Sequence, residues 1–187
     1  MKKQPERTAM TRSILIDTFL KLSKEKPLDK ITVSEICTKA GYNRSTFYQY
    51  FNDTNHLLSG IGDDLLLYIK DTVINQVGKA PPERYFIESF IYIHEEKRDI
   101  LKLLLGDRAN SFSSKLKETM IPLFARQMQM PMDDEQTVYK LDFYLSGIIS
   151  MLSRWVTSEP TMPPEQYALI TRQIVEGMRN SGLFPAL

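Results

Sequence analysis

Apolar residues recur at three- and four-residue intervals along nearly the whole chain, and no stretch alternates with a period of two, so the pattern predicts an all-α protein. Ile14, Leu15, Thr18, Phe19 and Leu22 form one inward stripe, on a helix that Pro27 ends. From Thr54 to Val77 the stripe is Leu58, Ile61, Leu65, Ile69 and Val73, which predicts one long helix. At 1.5 Å per residue it would span ~36 Å, more than a three-helix domain needs. Its second half is therefore expected in another core, with Gly60 and Gly62 weakening its first turns. Gly78-Lys79-Ala80-Pro81-Pro82 breaks the pattern. Glu83–Glu96 is apolar around much of its circumference and predicts a central helix, followed by a short one from Arg98 to Leu105 that Gly106 closes. Ser113–Met130, with a kink at Pro122, a helix capped at Asp133 and reaching Thr157, and one opened by Pro163-Pro164 and ending near Gly182 complete the set. The expectation is about nine helices in two domains, 1–56 and 57–187, linked by the helix at 54–77.

Within this pattern Ile31–Phe51, ITVSEICTKAGYNRSTFYQYF, stands out. Thr32 followed by Glu35 has the capping-box form, and Ile36 and Ala40 put small or apolar groups on one face. Gly41 suits the positive φ of a helix end, and Asn43 can cap a second helix, leaving the three- or four-residue turn of a helix-turn-helix. At ~100° per residue, Phe47, Tyr50 and Phe51 share the inner side while Ser45, Tyr48 and Gln49 fall on the other. A solvated face would favour Glu and Lys, whereas this one fits a major groove. Arg44 can pair with a phosphate or a guanine edge, Gln49 can read adenine, and the Ser45, Thr46 and Tyr48 hydroxyls can bond phosphate oxygens. The plainer reading is a small polar helical corner.

The segment resembles the DNA-binding domain of the tetracycline-repressor (TetR) family of bacterial transcriptional regulators. Matching features are Ile31-Thr32-Val33, Ile36, Ala40-Gly41, Ser45-Thr46-Phe47-Tyr48, Tyr50-Phe51 and Leu57-Leu58, over roughly Thr8 to Leu66. The resemblance implies that Thr32, Arg44, Ser45, Thr46, Tyr48, Gln49 and Tyr50, with Asn43 at the head of their helix, sit where the family touches DNA. Thr54 stands where the family usually carries Lys, so that phosphate contact loses its full charge. A weaker resemblance, in HEEKRDILKLLLG and FYLSGIISMLSRWV, is to the regulatory domain of one TetR branch and implies a dimeric helical domain without identifying a ligand.

The net charge of +1 changes meaning once divided: residues 1–56 carry ten Lys/Arg against six Asp/Glu, a net +4, and residues 57–187 a net −3. The basic end is the one expected to meet a polyanion. Lys2, Lys3, Arg7 and Arg12 make a basic lead-in, of which Lys3 and Arg7 are candidate contacts to phosphate or a minor groove. No apolar run reaches the ~18 residues of a membrane span, and MKKQPERTAM lacks a signal peptide's apolar core, so a cytoplasmic, nucleoid-associated protein is expected. The single cysteine, Cys37, fits a reducing compartment and reads as a packing residue.

Enzyme chemistry finds no constellation. His94-Glu95-Glu96 is not H-E-x-x-H because residue 98 is Arg, and no cysteine cluster, phosphate loop or G-x-S-x-G occurs, so no catalytic residue, metal or cofactor is expected and an all-α enzyme stays a remote option. The expected function is a homodimeric DNA-binding regulator, a repressor released from a palindromic operator by a small apolar effector. The alternative is a helix-turn-helix regulator whose C-terminal domain binds a protein co-regulator. Tyr68, Phe90, Met120, Phe124, Phe143 and Trp155 are candidate pocket residues, although such stripes are more often plain core. Ser146 with Ser150, and Gly177 with Ser181, are small residues four apart on the last two helices and are the candidate dimer contacts, building a four-helix bundle from two protomers.

Overall fold

The computed structural model describes residues 5–76, 97–106, 109–159 and 162–182. Lys2, Lys3, Phe90, His94 and the helix expected over Glu83–Glu96 lie outside them. Among the described residues the secondary structure is helical: α1 Pro5–Glu25, a 3-10 turn at Leu28–Lys30, α2 Val33–Ala40, α3 Arg44–Phe47, α4 Thr54–Gln76, α5 over residues 97–105, α6 Ala109–Gln127, α7 Glu135–Thr157 and α8 Pro164–Asn180. No described helix is long and apolar enough to cross a membrane. The chain divides into two compact units, residues 1–64 and 65–187, so the division falls within α4.

In the first unit, Leu15, Phe19 and Leu22 of α1, Ile36 and Cys37 of α2, Phe47 of α3, and Leu57 and Ile61 of α4 are buried together with Phe51. Leu57 is fully buried, although the 54–77 stripe was expected to run through Leu58, which is only half-buried. Two ion pairs tie the end of α1 to α2: Lys26 with Glu35, and Lys39 with Glu25 at 2.8 Å. The Lys39 ammonium holds the exposed Glu25 carboxyl below its usual range, first by hydrogen bonding and then by charge.

In the second unit, α7 buries Leu141, Tyr144, Leu145, Ile148, Ile149, Leu152, Trp155 and Val156 at three- and four-residue spacing. Asp134, one residue after the expected Asp133, caps it, accepting from the amides of Gln136 and Thr137 and from the Thr137 hydroxyl. Helix α6 contributes Phe112, Leu116, Met120 and Phe124, and α8 contributes Tyr167, Thr171 and Val175. Pro122 lies inside α6 with its ring exposed. The helix stops at Gln127, three residues before the expected end, because Gln129 takes φ 52° and the Met130 amide reaches back to the Ala125 carbonyl at 2.8 Å.

Candidate nucleic-acid interface

Local chemistry sets α2 and α3 at their turn. Thr32 Oγ1 accepts from the Glu35 amide at 3.3 Å, opening α2. Gly41 closes it at φ 74°, and the Tyr42 amide bonds the Cys37 carbonyl at 2.9 Å. A side chain at Gly41 would meet nothing within 4 Å, so the backbone conformation alone requires glycine there. Asn43 caps α3 and its Oδ1 takes three donors: the Thr46 amide at 2.8 Å, Ser45 Oγ at 2.7 Å and Thr46 Oγ1 at 2.8 Å. Both hydroxyl protons are thus turned inward, away from the phosphate oxygens they were expected to meet, and each hydroxyl presents lone pairs outward instead.

Only residues 44–47 are α-helical, because the following amides tighten to i−3 bonding. Gln49 donates to the Thr46 carbonyl at 3.2 Å and Tyr50 to that of Phe47 at 2.9 Å, after which Phe51 returns to the Phe47 carbonyl at 3.0 Å. The expected division of faces holds within this turn. Phe47 and Phe51 are buried, whereas Arg44, Ser45, Tyr48 and Gln49 are exposed and Tyr50 is half-buried. Tyr48 leaves 55% of its surface open while its ring stands edge-on to Phe47 at 5.7 Å. Thr32 and Arg7 are exposed, and Thr46 and Thr54 half-buried.

The head of α4 carries chemistry that sequence reading missed. Asp53 Oδ1 accepts from the His56 amide at 2.7 Å, and His56 Nδ1 accepts from the Asn52 amide at 3.0 Å, so the two side chains cap the helix start reciprocally. The signal was the Asp-x-x-His spacing, read at neither residue. A carboxylate therefore sits beside Thr54, where the resemblance implies a phosphate contact.

Arg12 is not free for DNA either. Its guanidinium holds Asp64 through Nη1–Oδ2 at 2.6 Å and Nη2–Oδ1 at 3.2 Å, with Cζ 5.6 Å from the centre of the Phe51 ring. Cys37 is buried, and burial pushes its thiol up while the charge of Arg44 opposes.

Two sequence families match this arrangement. The one described as bacterial regulatory proteins, tetR family, covers residues 15–61, and the one described as transcriptional regulator C-terminal region covers residues 81–177, more than half the chain. The chain belongs to the TetR family of transcriptional regulators. An uncharacterized HTH-type transcriptional regulator, YvdT, of Bacillus subtilis (strain 168) is 28% identical over 123 residues, 62% of this chain and 62% of its own length. Among solved structures, the fatty acid degradation regulator FadR from Bacillus halodurans is similar with a TM-score of 0.72 at 16% identity, over 95% of this chain and 97% of that one. The SmeT–triclosan complex matches with a TM-score of 0.71 at 15% identity, over 90% of each chain. At these identities the two structures bear on the fold alone.

The C-terminal candidates of this TetR-family chain separate into core and surface. Met120, Phe124 and Trp155 are buried: the Phe124 ring lies 5.5 Å from Tyr144, and Trp155 stacks on Tyr167 at 4.0 Å while its Nε1 donates to the Met162 carbonyl at 2.7 Å. Tyr68 is half-buried under the Lys97 ammonium. Phe143 is 67% exposed and does not belong to an internal cavity wall; it stands on an open apolar groove between α7 and α8, with Gly147, Met151, Ile174 and Met178. Ser146, Ser150, Gly177 and Ser181 are exposed. Ser146 lies beside Lys117 of α6, whose Nζ is 3.3 Å from its Oγ and 2.7 Å from Asp142. Ser146 thus lies on the α6 side of α7, and an exposed apolar stripe of α7 runs through Tyr139 and Phe143 with Gly147.

Proposed function

We propose that this TetR-family regulator binds a near-palindromic operator as a homodimer and acts as a repressor. The observation that carries the DNA-binding part is the exposed set Arg44, Tyr48 and Gln49 over the buried Phe47 and Phe51. Arg44 supplies charge to a phosphate or guanine edge and Gln49 reads adenine, while Thr32 and the Tyr48 hydroxyl add neutral contacts and the Ser45 and Thr46 oxygens accept from base amino groups. Asn43 serves them by orienting the Ser45 and Thr46 hydroxyls. Tyr50 and Thr54 flank the contact at its edge, and the exposed Arg7 of α1 is a further cation for phosphate.

Dimerisation through α7 and α8 is supported by the apolar groove and the exposed Tyr139, Phe143, Ile170 and Ile174 around it. A two-fold axis there gives two recognition turns, so the half-sites should lie ~34 Å or a small multiple apart. A small-molecule effector that releases the operator is supported by the shared fold of the neighbour whose structure is a complex with triclosan. In vitro selection from random duplexes, followed by footprinting, tests the reading. A two-fold-related pair of protected half-sites is expected, and a single asymmetric half-site bound with full affinity would overturn it.

A further inference from the structure

Arg12 on α1 makes two kinds of contact at once. Its guanidinium holds the Asp64 carboxylate of α4 through two hydrogen bonds, and its Cζ lies over the ring of Phe51, the residue that ends the turn after α3, 5.6 Å from the ring centre. Gly60 of α4 completes the fit: a Cβ there would stand 3.3 Å from Arg12 Nη2, tighter than ordinary packing, and 3.4 Å from Phe51 Cε1, at ordinary contact. Phe51 is itself buried between Phe47 at 5.7 Å and the edge-on His56 ring at 6.0 Å. The chain of contact runs from Asp64 through Arg12 and Phe51 to Phe47, and from there to the exposed Tyr48. Two donors on one planar group hold both carboxylate oxygens while the same cation lies over the ring, which the single ammonium of Lys cannot reproduce.

We propose that Arg12 is a positioning residue for operator recognition: clamped by Asp64 and seated on Phe51, it fixes the turn 48–51 against α4 and so sets the presentation of Tyr48 and Gln49. This rests on the DNA-binding reading above. Arg12 then touches no phosphate, and its charge is paired with Asp64 at the surface of the domain.

The test uses the full-length chain, a duplex selected by the wild type from a random library, and a scrambled duplex of equal length. Arg12→Met, Arg12→Lys and Asp64→Asn are each expected to weaken binding to the selected duplex by about tenfold, the size of one lost base contact. Affinity for the scrambled duplex, which depends on phosphates, should move by less than about twofold with the salt slope unchanged. The double variant Arg12→Met/Asp64→Asn should lose no more than either single one, since both break the same clamp. If Asp64→Asn tightens binding while Arg12→Met flattens the salt slope, Arg12 is a phosphate contact and the proposal is wrong. It is equally overturned if both duplexes weaken in parallel, which marks general loss of folded protein, or if no variant changes either affinity. A wild type that selects no sequence at all would instead remove the DNA-binding reading on which it stands.

Discussion

Truncating Phe143 to alanine should split the proposed dimer while leaving the folded chain intact. Burying a phenylalanine side chain completely is worth ~1.5–3 kcal/mol. Phe143 is 67% exposed in the single chain, so a partner can cover about two-thirds of that, ~1–2 kcal/mol for each protomer. An isologous interface uses the same residue twice, which brings the loss to ~2–4 kcal/mol, or roughly 30- to 1,000-fold in the dimer dissociation constant. Sedimentation equilibrium across a concentration series reads this directly. Because the side chain is already largely in solvent, the unfolding free energy below the dimer dissociation constant should change by less than ~0.5 kcal/mol. A dissociation constant within about threefold of wild type would refute the reasoning and move the interface off this groove.

Gly147→Trp, which fills the same groove, should release monomers in sedimentation, and Ser146→Ala on the α6 side should not; the reverse order would restore the small-residue row as the contact. Gln129→Gly should stabilise the protein in urea unfolding by about 1 kcal/mol, since a non-glycine residue at φ 52° carries a steric cost, and a loss of stability would mean its side chain is needed there. Burial pushes the Tyr167 phenol up to about 12, against a Thr171 hydrogen bond that opposes the shift. The unfolded phenol, near 10.0, ionises first, so the stability held below that pH is lost as the pH rises from about 10 to 12. The difference between wild-type and Tyr167→Phe unfolding curves should narrow by up to ~2–3 kcal/mol over that window, and a constant difference would show the phenol is not differentially ionised. Arg44→Ala should flatten the slope of log affinity against log salt by ~0.9 per protomer while Tyr48→Phe leaves it unchanged; equal slopes in all three proteins would place Arg44 away from phosphate.

The parts of this molecule readable from its sequence are those fixed by neighbours along the chain. Thr32 with Glu35, Gly41 and Asn43 each act within three residues, so their roles followed from local chemistry alone. Burial of Phe47 and Phe51 followed from helical spacing even though the helix ends at Phe47, because a 3-10 turn rotates side chains by only ~20° more per residue than an α-turn. What stayed hidden depends on distance in sequence or on an uncommon conformation. Arg12 read as one more cation in a basic lead-in, since its partner lies 52 residues away. Phe143 fits a helical stripe as well as its buried neighbours do, and only the three-dimensional placement of α8 shows that it faces outward. Gln129 gives no warning of a left-handed turn, which glycine or asparagine would have signalled.

The shortness of α3 bears on how much of an operator this protein can spell out. Four α-helical residues advance ~6 Å and the next three, at 3-10 pitch, another ~6 Å. With base pairs stacked every 3.4 Å, such a length passes only about three or four of them in each half-site. On the proposed dimer, two half-sites give the recognition turns a word of about eight letters at most, too short to be unique among the ~10⁶ or more competing sites of a genome. The remaining discrimination must lie in the distance between the two words and in how readily the intervening duplex bends to fit it. For this protein, spacing is part of the message.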